Sequence, residues 1–427
     1  MMIQGFKWFV RILMAGVIAA VMVGCTQLGL NYSSLEIDGK PAAYPALEGD
    51  LLDSLSSDRS PALRALEAHI FGPVPEGIPV RMVDRRVVDT AYANGAGTLE
   101  EITFVFGLED DQRRFNLAVA FPNNVSGPAP LIINQTFCPN RITFGTNLLS
   151  PMLSQVTGCG DDAEASGLMV SVITGIFGRY IGTPPNQRVL ERGYAMASFY
   201  ASEVVPDAGR AGRNALASFP EGTRGRPSGA VAAWTLGYVA ALDALEADAR
   251  IDATRTAVIG HSRHAKSALV AGTFDHRIEA VIAHQAGTGG TALSRKKPGE
   301  TVASITKNYP HWFAPSYADF DSDGLNTTPT DLHMLIALNA PKKVLLGNGR
   351  RDVWSDPNGS YRASLSADAA WKAVGARGLD QSGMKDLNLA ADLVFYMRSG
   401  GHGIIKRDWD TFLDFLDTAM PAAISGE

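Results

Sequence analysis

From residue 130 onward, six short and almost wholly apolar runs recur: "PLIINQT" (130–136), "YAMASFY" (194–200), "TAVIGHS" (256–262), "IEAVIAH" (278–284), "KKVLLGN" (342–348) and "DLVFYMR" (392–398). A strand with one wet face alternates apolar and polar residues. Runs without alternation are strands buried on both faces, which requires a largely parallel sheet with helices on either side. The intervening chain supplies those helices. In "PSGAVAAWTLGYVAALDALEAD" (227–248), Val231, Trp234, Tyr238, Leu242 and Leu245 share one helical face behind a Ser228 cap. "DWDTFLDFLDTAM" (408–420) predicts a closing helix, and "EITFVFGLEDDQRRFNLAVAF" (101–121) predicts a hairpin around an acidic turn. The expectation is an α/β fold, a three-layer αβα sandwich on a mostly parallel sheet.

Before this pattern the chain is different. Its first 25 residues, "MMIQGFKWFVRILMAGVIAAVMVGC", set Lys7 and Arg11 ahead of an apolar stretch too short for a membrane span, which needs roughly 20 residues. This is the layout of a secretory signal, and "MVGC" resembles a bacterial lipobox, with Cys25 as the residue lipidated after cleavage. A plain signal peptide or a short anchor is the alternative. Residues 26–85 read as a tether and wrapping segment, with a short helix over "SPALRALEAHIFG" (60–72) capped by Ser60, and residues 86–427 as the main domain. An exported protein, periplasmic or held at the outer membrane, is expected. In that oxidising compartment Cys138 and Cys159 have one possible connectivity, and a disulfide closing about 20 residues contributes on the order of 3 kcal/mol. Two buried free thiols are the alternative. The net charge of -6, with no basic stretch beyond the extreme N-terminus, sets nucleic acid aside. No heptad seam argues for a partner chain, so a monomer is expected, touching the membrane only through its anchor.

"VIGHSRHAKS" (258–267) carries the chemistry. A buried strand ends at Gly260, Ser262 follows, and a helix begins at once. This context is that of a nucleophile on a tight strand-to-helix turn, as in α/β-hydrolases. The usual small residue two places after the serine is replaced by His264, with Ala265 one later. A serine needs a base to take its proton and a carboxylate to orient that base. His402, in "RSGGHGI" on the loop after the last strand, fits the base. Asp352, just past the penultimate strand, fits the acid, with Asp356 as rival. His261 and His264 lie too close to the serine in sequence to act easily as its base, and His284, His311 and His333 are expected to pack or to bind substrate. The backbone N–H of Arg263 and the loop after "LIINQT" would hold the oxyanion.

Together, "VLERGYAMASFY", "AVIGHSRHAK", "GTGGTALSRKKPGET", "NYPHWF", "DLHMLIALNAPKKVLL", "DVWSDP" and "GGHG" resemble carbohydrate esterase family 15, the glucuronoyl esterases, in order and spacing from about residue 190 to 418. The resemblance implies a serine esterase acting on glucuronoyl or 4-O-methyl-glucuronoyl esters that join xylan side chains to lignin alcohols. It implies Ser262 as nucleophile, His402 as base, the Arg263 side chain on the oxyanion, and Lys266, Glu300 and Trp354 on the sugar. Many members carry an acid where this chain has Gln285, here counted with the substrate-binding residues. Glutamine cannot stabilise an imidazolium by charge, so the acid role falls to Asp352. Ala265 stands where the family has glycine. The alternatives are an esterase for acetyl xylan or another carbohydrate ester, or a binding protein with a decayed site. No cofactor or metal is required. "DFDSDG" (319–324) starts like a calcium loop, but Thr330 occupies the place of the closing glutamate, so an acidic surface loop is expected.

Overall fold

In a computed structural model, which describes residue 52 and residues 58–425 except 109–110, 157, 165–173, 176, 220–226, 295–298 and 321–329, the apolar runs lie side by side in one nine-stranded sheet. The strands are β1 (Val80–Tyr92), β2 (Gly97–Phe106), β3 (Arg113–Pro122), β4 (Ala129–Thr136), β5 (Ala195–Tyr200), β6 (Ile251–His261), β7 (Ile278–His284), β8 (Lys343–Gly349) and β9 (Leu393–Arg398), in the order β1-β2-β3-β5-β4-β6-β7-β8-β9. The first three pair antiparallel, as does β3 with β5. From β5 to β9 every pairing is parallel. The expected secretory segment with Cys25, and "DFDSDG" from residue 321 onward, lie outside the described residues.

Both faces of the parallel strands are dry, and successive residues divide between them. Leu131, Ile133, Val258, Val281 and Leu346 join one core, while Ile132, Ala257, Ile259, Ile282 and Leu345 join the other. This two-residue period is what strand geometry imposes. The helices used below are α1 (Ser60–Leu66), α2 (Thr235–Leu245), α3 (Arg263–Phe274), α4 (Pro357–Ala373) and α5 (Lys406–Ala419). The first core is closed by α1 to α4 through Leu66, Tyr238, Leu269 and Trp371, and the second by α5 through Trp409, Phe412 and Leu416. Three layers result.

Four local expectations are corrected. The boundary at residue 86 falls inside β1, which the charged sequence "VRMVDRRVVDTAY" had hidden. That strand is held by its ladder to β2, where Arg86 sits opposite Glu101 and pairs with it at 2.6 Å, while Met82, Val83 and Val87 stay exposed. Such a strand needs a neighbour more than an apolar face. Ser60 is not the cap of α1; its own N–H donates to Asp58 Oδ1 at 2.9 Å. Beyond Leu66 the helix widens into a π turn (Glu67–Phe71) that ends at Gly72, with φ 72°, where a Cβ would lie 2.4 Å from Pro227 O. Ser228 caps nothing either, since its hydroxyl donates to Pro73 O at 2.6 Å. The single helix expected there is interrupted at Trp234, whose indole donates to Val205 O. Cys138 and Cys159 form a disulfide with a Cα–Cα distance of 5.5 Å. Among the described residues no helix is long and apolar enough to cross a membrane.

Candidate active site

The carboxyl ends of β6, β7, β8 and β9 deliver the chemistry to one rim of the sheet, the side where open parallel sheets place their sites. Ser262 sits between β6 and α3 at φ 55° and ψ -122°, a conformation that costs a residue with a side chain of order 1–3 kcal/mol. Its N–H donates to His284 O on the neighbouring strand at 2.8 Å, which anchors the turn. Its side chain makes no capping hydrogen bond to α3. A Cβ at Gly260 would meet His264 O at 2.2 Å and Ala265 N at 2.6 Å, so the tight turn requires glycine there. His264, odd in the sequence, is a packing residue. It lies buried against Phe137, with ring centroids 4.1 Å apart, and edge-on to Trp234 at 5.5 Å. Burial first, and then the Arg263 cation, push its pKa down to about 3, so the ring is neutral. Ala265 is fully buried.

His402 lies on the loop after β9, its side chain 21% exposed, and its Nδ1 is 2.8 Å from Asp352 Oδ2. Asp352 is buried at the end of β8. Burial works against its ionised form, but the adjacent His402 and the N–H of Ser355 hold its carboxyl below the usual carboxylate range. Asp356, the rival, is turned away: its Oδ1 accepts the Gly359 N–H at 2.9 Å and caps α4. Ser262, Arg263 and His402 line one cleft of about 330 Å³, walled by Phe137, Phe177, Tyr200 and the Cys138–Cys159 disulfide.

Under His402 lies a buried histidine pair. The His261 ring packs against that of His402 with centroids 4.7 Å apart, and His261 Nδ1 is 2.9 Å from His284 Nδ1. Two nitrogens at that distance share one proton, so one ring donates and the other accepts. Burial, followed for His261 by His402, His284 and Arg398, pushes His261 well down; burial brings His284 to about 4 despite the Asp408 carboxylate. Both rings are neutral. Asp408 is itself held by Arg398 Nε at 2.8 and 2.9 Å.

Arg263 points its guanidinium into a cage that sequence reasoning did not identify. The cation lies 4.9 Å from the centroid of the Trp312 ring, 5.2 Å from Phe137 and 5.9 Å from Tyr309. Its Nη1 donates to Asp207 Oδ2, and Asp207 Oδ1 accepts from Trp312 Nε1 at 2.7 Å and pairs with His311 Nε2 at 3.0 Å. Burial disfavours the charge on Asp207, but Arg263, His311 and Trp312 together hold its carboxyl well below the usual range. The "NYPHWF" stretch carried the signal for this cage; Asp207, about 50 residues before the serine, carried none.

The expected sugar-binding residues separate. Trp354, 40% exposed, presents its ring to solvent on the turn beside Asp352. Glu300 is buried next to it, its N–H bonded to Trp354 O at 3.0 Å and its carbonyl to the Thr288 hydroxyl at 2.7 Å. The Lys266 ammonium is buried and donates to Ala286 O and, at 2.5 Å, to Thr288 O. Gln285, expected among the substrate contacts, is 1% exposed, and both ends of its amide reach the His402 loop instead. Among the described residues there is no group of three or more His, Cys, Asp or Glu side chains suited to a metal ion.

The chain as a whole is similar to known proteins. The family model described as "Glucuronyl esterase, fungi" matches residues 169–375. A carbohydrate esterase from an unidentified prokaryote is 29% identical over 368 residues, covering 85% of this chain and 84% of that protein. The 4-O-methyl-glucuronoyl methylesterase of Hypocrea jecorina is 30% identical over 252 residues, 56% of this chain and 54% of that one. The solved glucuronoyl esterase of Solibacter usitatus superimposes with a TM-score of 0.75 at 27% identity, covering 90% of this chain and all of that one.

Proposed function

This chain belongs to the glucuronoyl esterases, and on that premise we propose that it hydrolyses glucuronoyl and 4-O-methyl-glucuronoyl esters of the kind that link glucuronoxylan to lignin alcohols, with Ser262, His402 and Asp352 as its catalytic residues. The 2.8 Å contact between His402 and Asp352, on a loop that shares the cleft with a strained Ser262, is the observation that carries this assignment.

Ser262 Oγ attacks the uronoyl carbonyl carbon while His402 Nε2 takes its proton. Asp352 holds the Nδ1–H and stabilises the imidazolium that forms. The negative charge on the carbonyl oxygen falls to the Arg263 N–H, the first of α3, and to the caged guanidinium. His402 then returns the proton to the departing alcohol. Water, activated by the same imidazole, releases the uronate and regenerates Ser262. Trp354 offers an exposed aromatic face to the sugar, and Glu300, whose backbone is bonded to Trp354, is read as the acceptor for its hydroxyls.

The esterified uronate carries no charge, so the cation near it acts on oxygens rather than on a carboxylate. Purified protein assayed on benzyl glucuronate and on an acetylated xylo-oligosaccharide tests the reading. Turnover of the uronate ester, lost in Ser262→Ala, is expected; activity on the acetate alone would replace it with a deacetylase. Binding without turnover would point to a decayed site. We further read the protein as an exported monomer tethered through Cys25; the Cys138–Cys159 disulfide supports the export, because such bonds persist in oxidising compartments. Labelled palmitate incorporation that is abolished by Cys25→Ser tests the anchor.

A further inference from the structure

We propose that Gln285 is a positioning residue that fixes His402 in place, and that an acid at this position would impair the reaction; the inference rests on His402 being the base. Gln285 directly follows β7 at φ 54°, and its N–H donates to Gly347 O at 2.7 Å, so its backbone is fixed between β7 and β8. Its side chain reaches the loop after β9, where Nε2 donates to Gly401 O at 3.0 Å and Oε1 accepts from Gly403 N at 2.8 Å. Those are the carbonyl preceding His402 and the N–H following it. One amide therefore holds both peptide units that flank the base.

The loop has little stiffness of its own. Three of its four residues from 400 to 403 are glycine, and Gly400 and Gly403 lie at φ 104° and 146°. A glycine-rich segment has many backbone states to lose, so its position must come from outside. The fold also leaves room for the amide: a Cβ at Gly349 would lie 2.4 Å from Gln285 Nε2 and 2.7 Å from Gly401 O. The partners admit one orientation of the amide, because Gly401 O only accepts and Gly403 N–H only donates.

An ionised carboxylate is acceptor-only. In place of Gln285 it would keep the Gly403 bond and turn a lone pair towards Gly401 O, replacing attraction with repulsion in a buried site. The loop would shift, and with it the imidazole. A displacement of about 1 Å from reacting geometry costs on the order of a hundredfold in rate.

The ionisable groups facing this spot are His402 on the loop, Asp352 beyond β8, His261 and His284 at the ends of β6 and β7, and Arg398 with Asp408 beneath the loop. Burial and the nearby Asp352 carboxylate favour the protonated form of an introduced carboxyl, against the Arg398 cation, whose charge Asp408 already pairs. Once protonated, its O–H can replace the lost amide donor.

The test compares wild type with Gln285→Glu and Gln285→Met on benzyl glucuronate at pH 8 and pH 5.5, with Tm measured for each. At pH 8 Gln285→Glu is expected to lose roughly 10- to 100-fold in kcat, with KM within about threefold. Relative to wild type it should recover at least about fivefold at pH 5.5, while Gln285→Met, which lacks both polar ends, shows the same deficit at both pH values. Gln285→Glu at or above wild-type kcat at pH 8 would overturn the proposal, because the new carboxylate would then be serving His402 as an acid. So would a folded Gln285→Glu whose deficit does not change with pH. A His402→Ala control separates the two levels. If it is inactive while the Gln285 variants behave as wild type, the clamp alone fails; if it remains active, the base assignment fails as well.

Discussion

Replacing Asp352 with asparagine removes the one carboxylate in hydrogen-bonding contact with His402 among the described residues and leaves the shape of the site nearly unchanged. Two unit charges about 4 Å apart interact by about 4 kcal/mol at an effective dielectric near 20, and a 2.8 Å Nδ1–Oδ2 contact places the imidazolium and carboxylate in that range. Asp352 is 1% exposed, so solvent screens this attraction little. The imidazolium exists while the tetrahedral intermediate forms and collapses, so the loss falls on the transition state. It is expected in kcat and not in KM. At 1.4 kcal/mol per decade, kcat should drop by about a thousandfold, with KM changed by less than about threefold. Initial rates on benzyl glucuronate near pH 8, with thermal melts to confirm folding, provide the measurement. A folded Asp352→Asn variant within about tenfold of wild-type kcat would refute the assignment, since another carboxylate would then be stabilising His402. Gln285 cannot fill that place, and Asp356 is committed to the start of α4.

Asp207→Asn removes the anion that holds the Arg263 guanidinium, and a charged hydrogen bond worth about 1.5–3 kcal/mol predicts a loss of roughly 10- to 100-fold in kcat; an unchanged kcat would show that Arg263 does not act through its side chain. Cys138→Ser/Cys159→Ser, or reduction of the disulfide, should cost about 3 kcal/mol and lower Tm by roughly 3–4 °C, with a rise in KM because the bond forms part of the cleft wall; an unaltered melt would count against it. His264, at about 3, and His284, at about 4, have folded pKa values below the unfolded value, so folding favours their neutral forms. Their stabilisation is fully present above about pH 6.5 and is lost as the pH falls towards 4, which denaturant midpoints at pH 8, 6 and 5 would reveal. Glu203, pushed up to about 7 chiefly by burial, contributes the opposite slope between about pH 4.5 and 7, so Glu203→Gln should steepen the acid loss; a shallower profile would contradict this sign.

The elements most legible in the sequence were those with burial on both faces. Ile132 and Ile133 point to opposite cores, so both must be apolar, and the run announces the strand without help from its neighbours. β1 was hidden because its pairing with β2 is made by backbone groups and by pairs such as Arg86 with Glu101, which a one-dimensional reading takes for polar loop. Helix starts and caps are hard to read from sequence for a related reason. A serine near a helix signals a cap only if its hydroxyl has nothing better to bond, and Ser228 has Pro73 O.

For the site, residue types and their stations are legible in the chain: Gly260 and Ser262 at a strand-to-helix turn, Asp352 after β8, His402 after β9. Chain order and hydrophobic period fix those positions, because strand ends on a parallel sheet converge on one rim whatever the loops contain. What each side chain touches depends on the assembled fold. It turned Asp356 into a cap, seated the Lys266 ammonium on the Ala286 and Thr288 carbonyls, brought Asp207 from a distant loop onto Arg263, and made Gln285 a brace for the His402 loop. The physical reason is range. Periodicity and local propensity act over a few residues, whereas the Asp207–Arg263 and Gln285 bonds join residues 56 and more than 110 positions apart, and their partners exist only once the sheet has brought the loops together.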